Sequence, residues 1–304
     1  MATTDFEADL ATTGKQVDAA LEALLGERVL PTGRLGDAMR HAVLGGGKRL
    51  RPYVVLRSAE LFAIPEAAAM PTACALELLH CYSLVHDDLP AMDDDDLRRG
   101  RPTVHRAYDE ATAILAGDAL LTLAFEVVSA PAPQADPAIS ATLVHTLARA
   151  AGATGMAAGQ ILDLEAEGRF DGGEPLSLSE SQVSHLQSLK TGALFRFAAE
   201  AGAILGKASP EDRVRLVRYG AALGRAFQIA DDLLDEEASP EELGKATAKD
   251  RARGKATLPA VIGKGAAREK LAEAVSAARE ALVPYGDRAS RLLAAADFAA
   301  TRRN

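Results

Sequence analysis

Two clusters of aspartate carry the densest concentration of reactive side chains in this chain of 304 residues. The first occupies positions 87–96, where six of the ten residues are Asp. Two carboxylates roughly 4 Å apart repel each other by about 4 kcal/mol at an effective dielectric constant of about 20, so such a cluster needs either water or a cation. A solvated acidic loop and a metal site are therefore both open interpretations of this segment.

The residues before this cluster favour the metal site. Apolar spacing predicts a helix from about Ala73 to His86, so Asp87 lies where the helix leaves the core. His80 precedes Asp87 by seven residues and shares its helix face. Residues that could contact a ligand are therefore expected on this face.

The second cluster lies near the end of another predicted helix. Asp231 and Asp235 are four residues apart and share a face, with Gln228 one turn earlier. Buried carboxylates at this spacing need a cation. A donor set made only of oxygen suits Mg²⁺, which completes its octahedron with water and phosphate oxygens.

Basic residues could hold the anionic partner of such a metal. The run Gly45–Lys48 leads into a predicted helix start, where exposed N–H groups beside Lys48 and Arg51 make an anion site. Lys190 and Thr191 interrupt a later helix. A surface location remains an open alternative for the lysines that could add charge to the same anion: Lys190, Lys245 and Lys255.

Helical spacing dominates the elements that would position these residues. Apolar residues recur every three or four positions, and Gly and Pro separate the helical blocks. No segment has the alternating β-branched pattern that predicts a strand. The pattern predicts an all-α, single-domain bundle of about ten or more helices over residues 1–304.

Composition narrows the function classes. The formal net charge is −9, which argues against a nucleic-acid partner. The acidic N-terminus has no basic, apolar leader, and the most apolar stretch contains Asp118 and Glu126, so we expect neither a signal peptide nor a membrane-spanning segment. Cys74 and Cys81 are too far apart on one helix to form a disulfide, which is consistent with a reducing compartment.

Taken together, the two acidic clusters, the basic residues and the apolar helices between them describe a site for a molecule with a diphosphate head and a hydrocarbon tail. The chain also resembles the all-trans prenyl diphosphate synthases, the family of the farnesyl and geranylgeranyl diphosphate synthases. Five motifs match in order: Gly47-Lys48-x-x-Arg51-Pro52, Asp87-Asp88-x-x-x-x-Asp93 with Leu97–Thr103, Gly159-Gln160-x-x-Asp163-Leu164, Lys190-Thr191-Gly192 and Phe227-Gln228-x-x-Asp231-Asp232-x-x-Asp235.

The resemblance implies roles for individual residues. The residues implied in catalysis are Asp87, Asp88, Asp93, Asp231, Asp232 and Lys190. About three Mg²⁺ ions per site are implied, with ligands Asp87, Asp93, Asp231 and Asp235. Isopentenyl diphosphate would contact Gly47, Lys48, Arg51, His80 and Arg99. The allylic diphosphate would contact Arg98, Lys190, Thr191, Gln228, Lys245 and Lys255.

The resemblance also implies a homodimer with a deep central cavity, and we expect the protein in the cytoplasm. Its implied activity is the Mg²⁺-assisted, head-to-tail condensation of isopentenyl diphosphate with dimethylallyl or geranyl diphosphate. Tyr82, five residues before Asp87, would form the floor of the cavity and favour the C15 product farnesyl diphosphate, although a core-packing role is open for it. The alternatives are a C20 geranylgeranyl diphosphate synthase, a terpene cyclase and a non-catalytic partner subunit.

Overall fold

Helices form almost the whole of the computed structural model, which describes residues 3–130, 136–170, 173–237 and 256–301. The first half contains the helices α1 (Thr3–Arg28), α2 (Arg34–Val43), α3 (Leu50–Glu60), α4 (Glu66–Asp87), α5 (Val104–Ala107) and α6 (Glu110–Ser129). The middle contains α7 (Pro137–Ala151), α8 (Met156–Ala166), α9 (Glu180–Lys190), α10 (Gly192–Leu205) and α11 (Pro210–Glu237). The last part contains α12 (Leu258–Ile262), α13 (Lys264–Leu282), a 3₁₀ segment (Val283–Ala289) and α14 (Ser290–Thr301). The prediction of an all-α fold with ten or more helices is confirmed.

Helix boundaries near the site follow from local sequence signals. The Ser179 hydroxyl and the Gln182 side chain form a reciprocal capping box at the start of α9. Helix α9 ends at Lys190 and α10 begins at Gly192, so the predicted interruption is present. Asp109 caps α6 by accepting a hydrogen bond from the Thr112 N–H at 2.8 Å.

One short hairpin was not predicted. Strands β1 (Leu97–Arg98) and β2 (Arg101–Pro102) pair in antiparallel register. Arg99 and Gly100 form the turn with φ of 54° and 76°, and positive φ at both central positions is typical of a tight two-residue hairpin. Two residues per strand are too few for an alternating pattern, so the sequence carries no strand signal here.

Small residues let the central helices approach closely. A Cβ at Gly220 or Gly224 of α11 would press on α10, and a Cβ at Gly117 of α6 would overlap the His86 ring of α4. The buried core extends from Phe6 in α1 to Phe298 in α14 and is rich in Ala and Leu. These contacts hold α4, α10 and α11 around the site.

Helices α4 and α6 are long and apolar enough to cross a membrane by length and composition alone. In their most apolar windows, 61% of the α4 residues and 50% of the α6 residues are buried within the protein. That burial is as expected for core helices. The other half of the α6 window is partly buried or exposed, and its exposed residues include Ile114 and Leu115.

Candidate active site

A cavity of about 430 Å³ lies among α3, α4, α8 and the junction of α9 with α10. The structure brings six of the predicted residues to its wall: Arg51, His80, Tyr82, Asp87, Lys190 and Thr191. The remaining wall is largely apolar, with Met92, Met156, Ile161, Leu164 and Leu194. A volume of this size is typical of a small-molecule site.

Asp87 is the last residue of α4 and is half-buried in this wall. Burial raises its pKa from 3.8 to about 6, while the charge of Lys190 acts in the opposite direction and Asp93 raises the pKa further. The Asp93 N–H donates to the Asp87 carbonyl oxygen at 2.7 Å, so the loop folds back on the helix end. Asp87 is therefore a desolvated carboxylate that a cation would stabilise.

Asp88 is buried and faces Arg98 of the hairpin instead of the cavity wall. The Arg98 Nε atom donates a hydrogen bond to Asp88 Oδ1 at 2.7 Å, and the Nη2 atom lies 2.6 Å from the same oxygen in an ion pair. Burial raises the pKa of Asp88, and the Arg98 hydrogen bond acts in the opposite direction. The pair connects the hairpin to the end of α4. Both residues were predicted to lie in the site, and in the structure they bind each other.

The glycine loop before α3 lies against the hairpin turn. The Arg99 side chain donates to the Gly46 carbonyl oxygen. Gly47 has a φ of 136°, and a Cβ there would clash with the Arg99 guanidinium, so this position requires glycine. Lys48 is exposed, and its Nζ lies 5.8 Å above the Phe298 ring centre.

Arg51 and His80 lie side by side in the cavity wall. The Arg51 Nη1 and His80 Nε2 atoms are 3.4 Å apart, and the Arg51 guanidinium lies over the Phe195 ring at 4.9 Å. Burial, followed by the charge of Arg51, lowers the pKa of His80 well below its ordinary value. A neutral His80 beside a cationic Arg51 is suited to an anionic ligand.

The opposite wall is built where α9 ends. Lys190 Nζ donates to the buried Asp163 Oδ2 of α8 at 2.5 Å. The next residue, Thr191, donates its hydroxyl proton to Gln228 Oε1 of α11 at 2.6 Å. Asp163 of α8 thus orients the Lys190 side chain, and Thr191 connects the cavity wall to the second acidic cluster.

Gly159 of α8 makes the Lys190 position possible, because a Cβ there would overlap the Lys190 backbone nitrogen. We expect Gly159→Ala to lower the free energy of unfolding by about 2 kcal/mol through overpacking. Displacement of Lys190 should also lower kcat. Urea unfolding and initial-rate kinetics measure both effects.

The matched control is Gly26→Ala in the exposed last turn of α1, where nothing lies within 4 Å of the added carbon. Alanine there should stabilise the protein by roughly 0.5 kcal/mol without changing kcat. An unchanged unfolding transition in the Gly159 variant would contradict the packing argument.

The three carboxylates of the second acidic cluster lie in different environments. Asp232 is buried, and Gln187 Nε2 and Gln228 Nε2 donate to its two oxygens at 2.7 and 2.9 Å. The Leu258 N–H adds a third bond at 3.2 Å. Burial raises the pKa of Asp232 to about 6. By contrast, Asp231 is half-buried and Asp235 is exposed.

Two of the predicted residues, Lys245 and Lys255, lie outside the described residues. Among the residues that the structure describes, no three His, Cys, Asp or Glu side chains come close enough together to hold a metal ion by themselves. Mg²⁺ is usually held by one or two carboxylates together with substrate phosphates and water, so this arrangement is compatible with such an ion.

Sequence reasoning missed several residues that position the site. Asp163 was part of a matched motif but had no assigned role, although it holds Lys190. Gln187 lies one turn before Thr191 and was not considered, although it bonds Asp232. Arg49 and Glu77 form a buried ion pair next to the glycine loop. Buried charge within a helix is the signal that could have revealed Glu77.

Comparisons with known proteins find relatives over nearly the whole chain. Residues 33–283 match the family model described as polyprenyl synthetase. The chain is 40% identical over 283 residues to a farnesyl diphosphate synthase of Geobacillus stearothermophilus, covering 93% of each chain. It is 39% identical over 302 residues to a chloroplastic geranylgeranyl pyrophosphate synthase of Catharanthus roseus, covering 99% of this chain and 82% of the relative.

A solved structure extends the agreement to the fold. The crystal structure of an FPP/GFPP synthase from Zymomonas mobilis superposes with a TM-score of 0.86 at 39% identity, covering 98% of this chain and 99% of the other. The chain therefore belongs to the polyprenyl synthetase family of all-trans prenyl diphosphate synthases. It is an isoprenoid-forming transferase, a prenyltransferase of the type that joins isopentenyl diphosphate to an allylic diphosphate.

Proposed function

We propose that the protein makes farnesyl diphosphate (C15) from isopentenyl diphosphate and dimethylallyl or geranyl diphosphate. The observation that carries this proposal is one cavity lined both by charged groups and by an apolar surface that includes Tyr82. The charged lining suits a diphosphate, and the apolar lining suits a prenyl chain. A bulky Tyr82 in that wall supports a short product.

We assign the allylic diphosphate to Asp87, Lys190 and Thr191, because these residues line the same cavity. Asp93 and the second acidic cluster, Asp231 with Asp235, complete this side. Gln228 supports it through Thr191. We assign isopentenyl diphosphate to the basic side formed by Gly47, Lys48, Arg51, His80 and Arg99.

Two predicted catalytic carboxylates receive a positioning role in this proposal. Asp88 already accepts a hydrogen bond from Arg98 Nε and forms an ion pair with Arg98 Nη2, and Asp232 already accepts three hydrogen bonds from its neighbours. A buried carboxylate that is held by such internal partners is poorly placed to bind a ligand as well. Asp88 holds the hairpin in place, and Asp232 holds α9 and α12 against α11.

The donor chemistry fits Mg²⁺, held by Asp87 and Asp93 on one side and by Asp231 and Asp235 on the other. All four donors are carboxylate oxygens, and the raised pKa of Asp87 indicates negative charge that its surroundings do not fully compensate. When bound, Mg²⁺ would neutralise the negative charge that develops on the departing diphosphate.

The reaction follows from charge separation. The C1–O bond of the allylic substrate breaks, and its electron pair leaves with the diphosphate, whose charge Lys190 helps to stabilise. The C3–C4 double bond of isopentenyl diphosphate attacks the allylic cation, and loss of a proton from C2 restores a double bond. The departing diphosphate is the proposed acceptor of that proton. The apolar wall excludes water that would trap the cation.

Incubation with dimethylallyl and isopentenyl diphosphates tests the proposal. Formation of farnesyl diphosphate that requires Mg²⁺ and stops on adding EDTA supports it. Cyclic hydrocarbon formed in a parallel incubation with geranyl diphosphate alone would indicate a terpene cyclase. An absence of turnover that a second subunit restores would indicate a partner subunit.

Geranylgeranyl diphosphate (C20) is the second candidate product, because relatives with comparable identity include the Catharanthus geranylgeranyl pyrophosphate synthase. Chromatography of the product from the same assay separates C15 from C20. The position of Tyr82 is the reason that we favour C15.

We expect Tyr82→Ala to shift the product to longer chains. The Tyr82 ring meets the His86 ring edge-on with 5.6 Å between centres, and His86 in turn packs on Gly117 of α6. Loss of the phenol ring opens space between the cavity and α6, so a C15 chain has room to extend. The measurement is the ratio of C20 to C15 products.

Tyr108→Ala is the matched control, because Tyr108 is also half-buried but lies beside Arg34, outside the cavity lining. Its product distribution should equal that of the parent. An unchanged distribution in the Tyr82 variant would favour the core-packing role.

The assembly that we propose is a homodimer in the cytoplasm. The exposed apolar residues Ile114 and Leu115 on α6 support a contact with a second copy, because such a contact would remove their apolar surface from water. The two free, buried cysteines are consistent with a reducing location. Sedimentation measurements on the purified protein test the dimer.

A further inference from the structure

Arg49 has a backbone conformation that is unusual for its residue type. It precedes α3 with a φ of 51°, in the left-handed region that residues other than glycine rarely adopt. Gly46 and Gly47, just before it, also have positive φ values of 87° and 136°. Glycine would suit the backbone at position 49 better, so the arginine side chain must supply something that glycine cannot.

The Arg49 guanidinium is buried and connects three helices. Its Nη1 donates to Glu77 Oε1 of α4 at 2.5 Å, and its Nε donates to Asp18 Oδ1 of α1 at 2.7 Å. Its Nη2 donates to the carbonyl oxygen of Val43, the last residue of α2, at 2.6 Å. Residue exposures of 3% for Arg49 and 2% for Glu77 place the pair fully inside the protein.

These contacts fix both ends of the glycine loop. Val43 ends the helix before the loop, and Arg49 precedes the helix after it. The two neighbours that we assign to isopentenyl diphosphate, Lys48 and Arg51, lie on either side of this anchor. Lys48 therefore extends to the surface from a backbone that the buried guanidinium holds in place, and Arg51 reaches the cavity from the first turn of α3.

We propose that Arg49 is a positioning residue that, through Glu77, Asp18 and the Val43 carbonyl, sets the geometry of the loop for the isopentenyl diphosphate head. The inference rests on the proposed assignment of Lys48 and Arg51 to that substrate. The guanidinium donates from three different nitrogen atoms to acceptors on three helices, and the single ammonium nitrogen of lysine cannot reach all three.

The test compares Arg49→Lys, Arg49→Gly and Asp18→Asn with the parent protein. Arg49→Gly keeps the positive φ and removes the anchor, so it separates the side chain from the backbone. We expect the two Arg49 variants to raise the KM for isopentenyl diphosphate on the order of tenfold, with the KM for geranyl diphosphate changed less than about twofold. Asp18→Asn keeps an acceptor and should give a smaller shift of the same kind.

Arg57→Lys is the matched control. Arg57 is also a buried arginine on α3, but it bonds Thr13 and carboxylates of α1, α3 and α4, away from the glycine loop. Its replacement should lower the Tm without raising the KM for isopentenyl diphosphate selectively. An Arg49 variant that loses activity only in proportion to Tm, or changes both KM values equally, overturns the positioning role.

A further variant separates failure of this inference from failure of the site assignment. Lys48→Ala should raise the KM for isopentenyl diphosphate if the assignment is right. A normal KM in Lys48→Ala together with a raised KM in Arg49→Gly refutes the assignment of Lys48 and keeps the anchor. A raised KM in Lys48→Ala with a normal KM in Arg49→Gly overturns the anchor alone. Should Arg49→Lys fail to fold, a parent-like KM in Asp18→Asn would overturn it.

Discussion

Replacing Asp87 with alanine should lower kcat about a thousandfold while leaving the helical circular dichroism spectrum unchanged. The carboxylate stands at the end of α4 on the cavity wall that also presents Lys190 and Thr191. Its loss removes negative charge that we assign to Mg²⁺ binding at the allylic diphosphate. Single-turnover and steady-state rates with geranyl and isopentenyl diphosphates measure the effect.

The same substitution should not cost stability at neutral pH. Burial raises the pKa of Asp87 to about 6, above its value of 3.8 in an unperturbed setting. A raised folded-state pKa means that ionisation opposes folding, so the stability present below about pH 4 is lost as the pH rises through 6. Asp87→Ala removes this penalty, and its Tm at pH 8 should equal or exceed that of the parent, with the difference shrinking towards pH 4.

Asp96→Ala is the control from the same acidic run. Asp96 is exposed and pairs with the exposed Arg106 at 2.9 Å, where an ion pair contributes little. Its kcat should stay near the parent value. If the Asp87 variant also keeps near-normal turnover, Asp87 is not a metal ligand.

Local sequence signals were sufficient to predict those features that depend on interactions between residues close together in the chain. The break between Lys190 and Gly192, the start of α9 after Ser179 and the shared cavity of His80 and Asp87 were all predictable, because helix geometry and capping act within a few residues. The motifs added the family and the activity, since five ordered motifs cover both walls of the site.

Pairings between distant residues were not predictable in this way. Gln187 bonds Asp232, which is 45 positions away, and Arg49 bonds Glu77, which is 28 positions away. Whether a carboxylate of the acidic clusters faces the cavity or an internal partner depends on these contacts. A wheel projection also separates Tyr82 from Asp87 by about 140°, yet both line one cavity, because the cavity wraps around the end of α4.

Lys190→Met should lower kcat about a hundredfold and move the acidic limb of the pH–rate profile to higher pH. After burial, the charge of Lys190 is the largest influence on the pKa of Asp87, and it lowers that pKa. Without this charge the pKa rises further above about 6, so protons compete for the carboxylate at higher pH. Rates measured between about pH 5 and about pH 9 give the position of the limb.

Loss of Lys190 also leaves Asp163 buried without the amine that now lies 2.5 Å from it, so the variant should unfold at a lower temperature. Lys207→Met provides the control, because Lys207 forms an exposed pair with Asp136 at 3.0 Å and should change neither the pH profile nor kcat. The shifted limb separates an electrostatic role from a structural one, since lost packing lowers kcat at every pH equally. A Lys190 variant with lower kcat but an unmoved acidic limb would show that its charge does not act on Asp87.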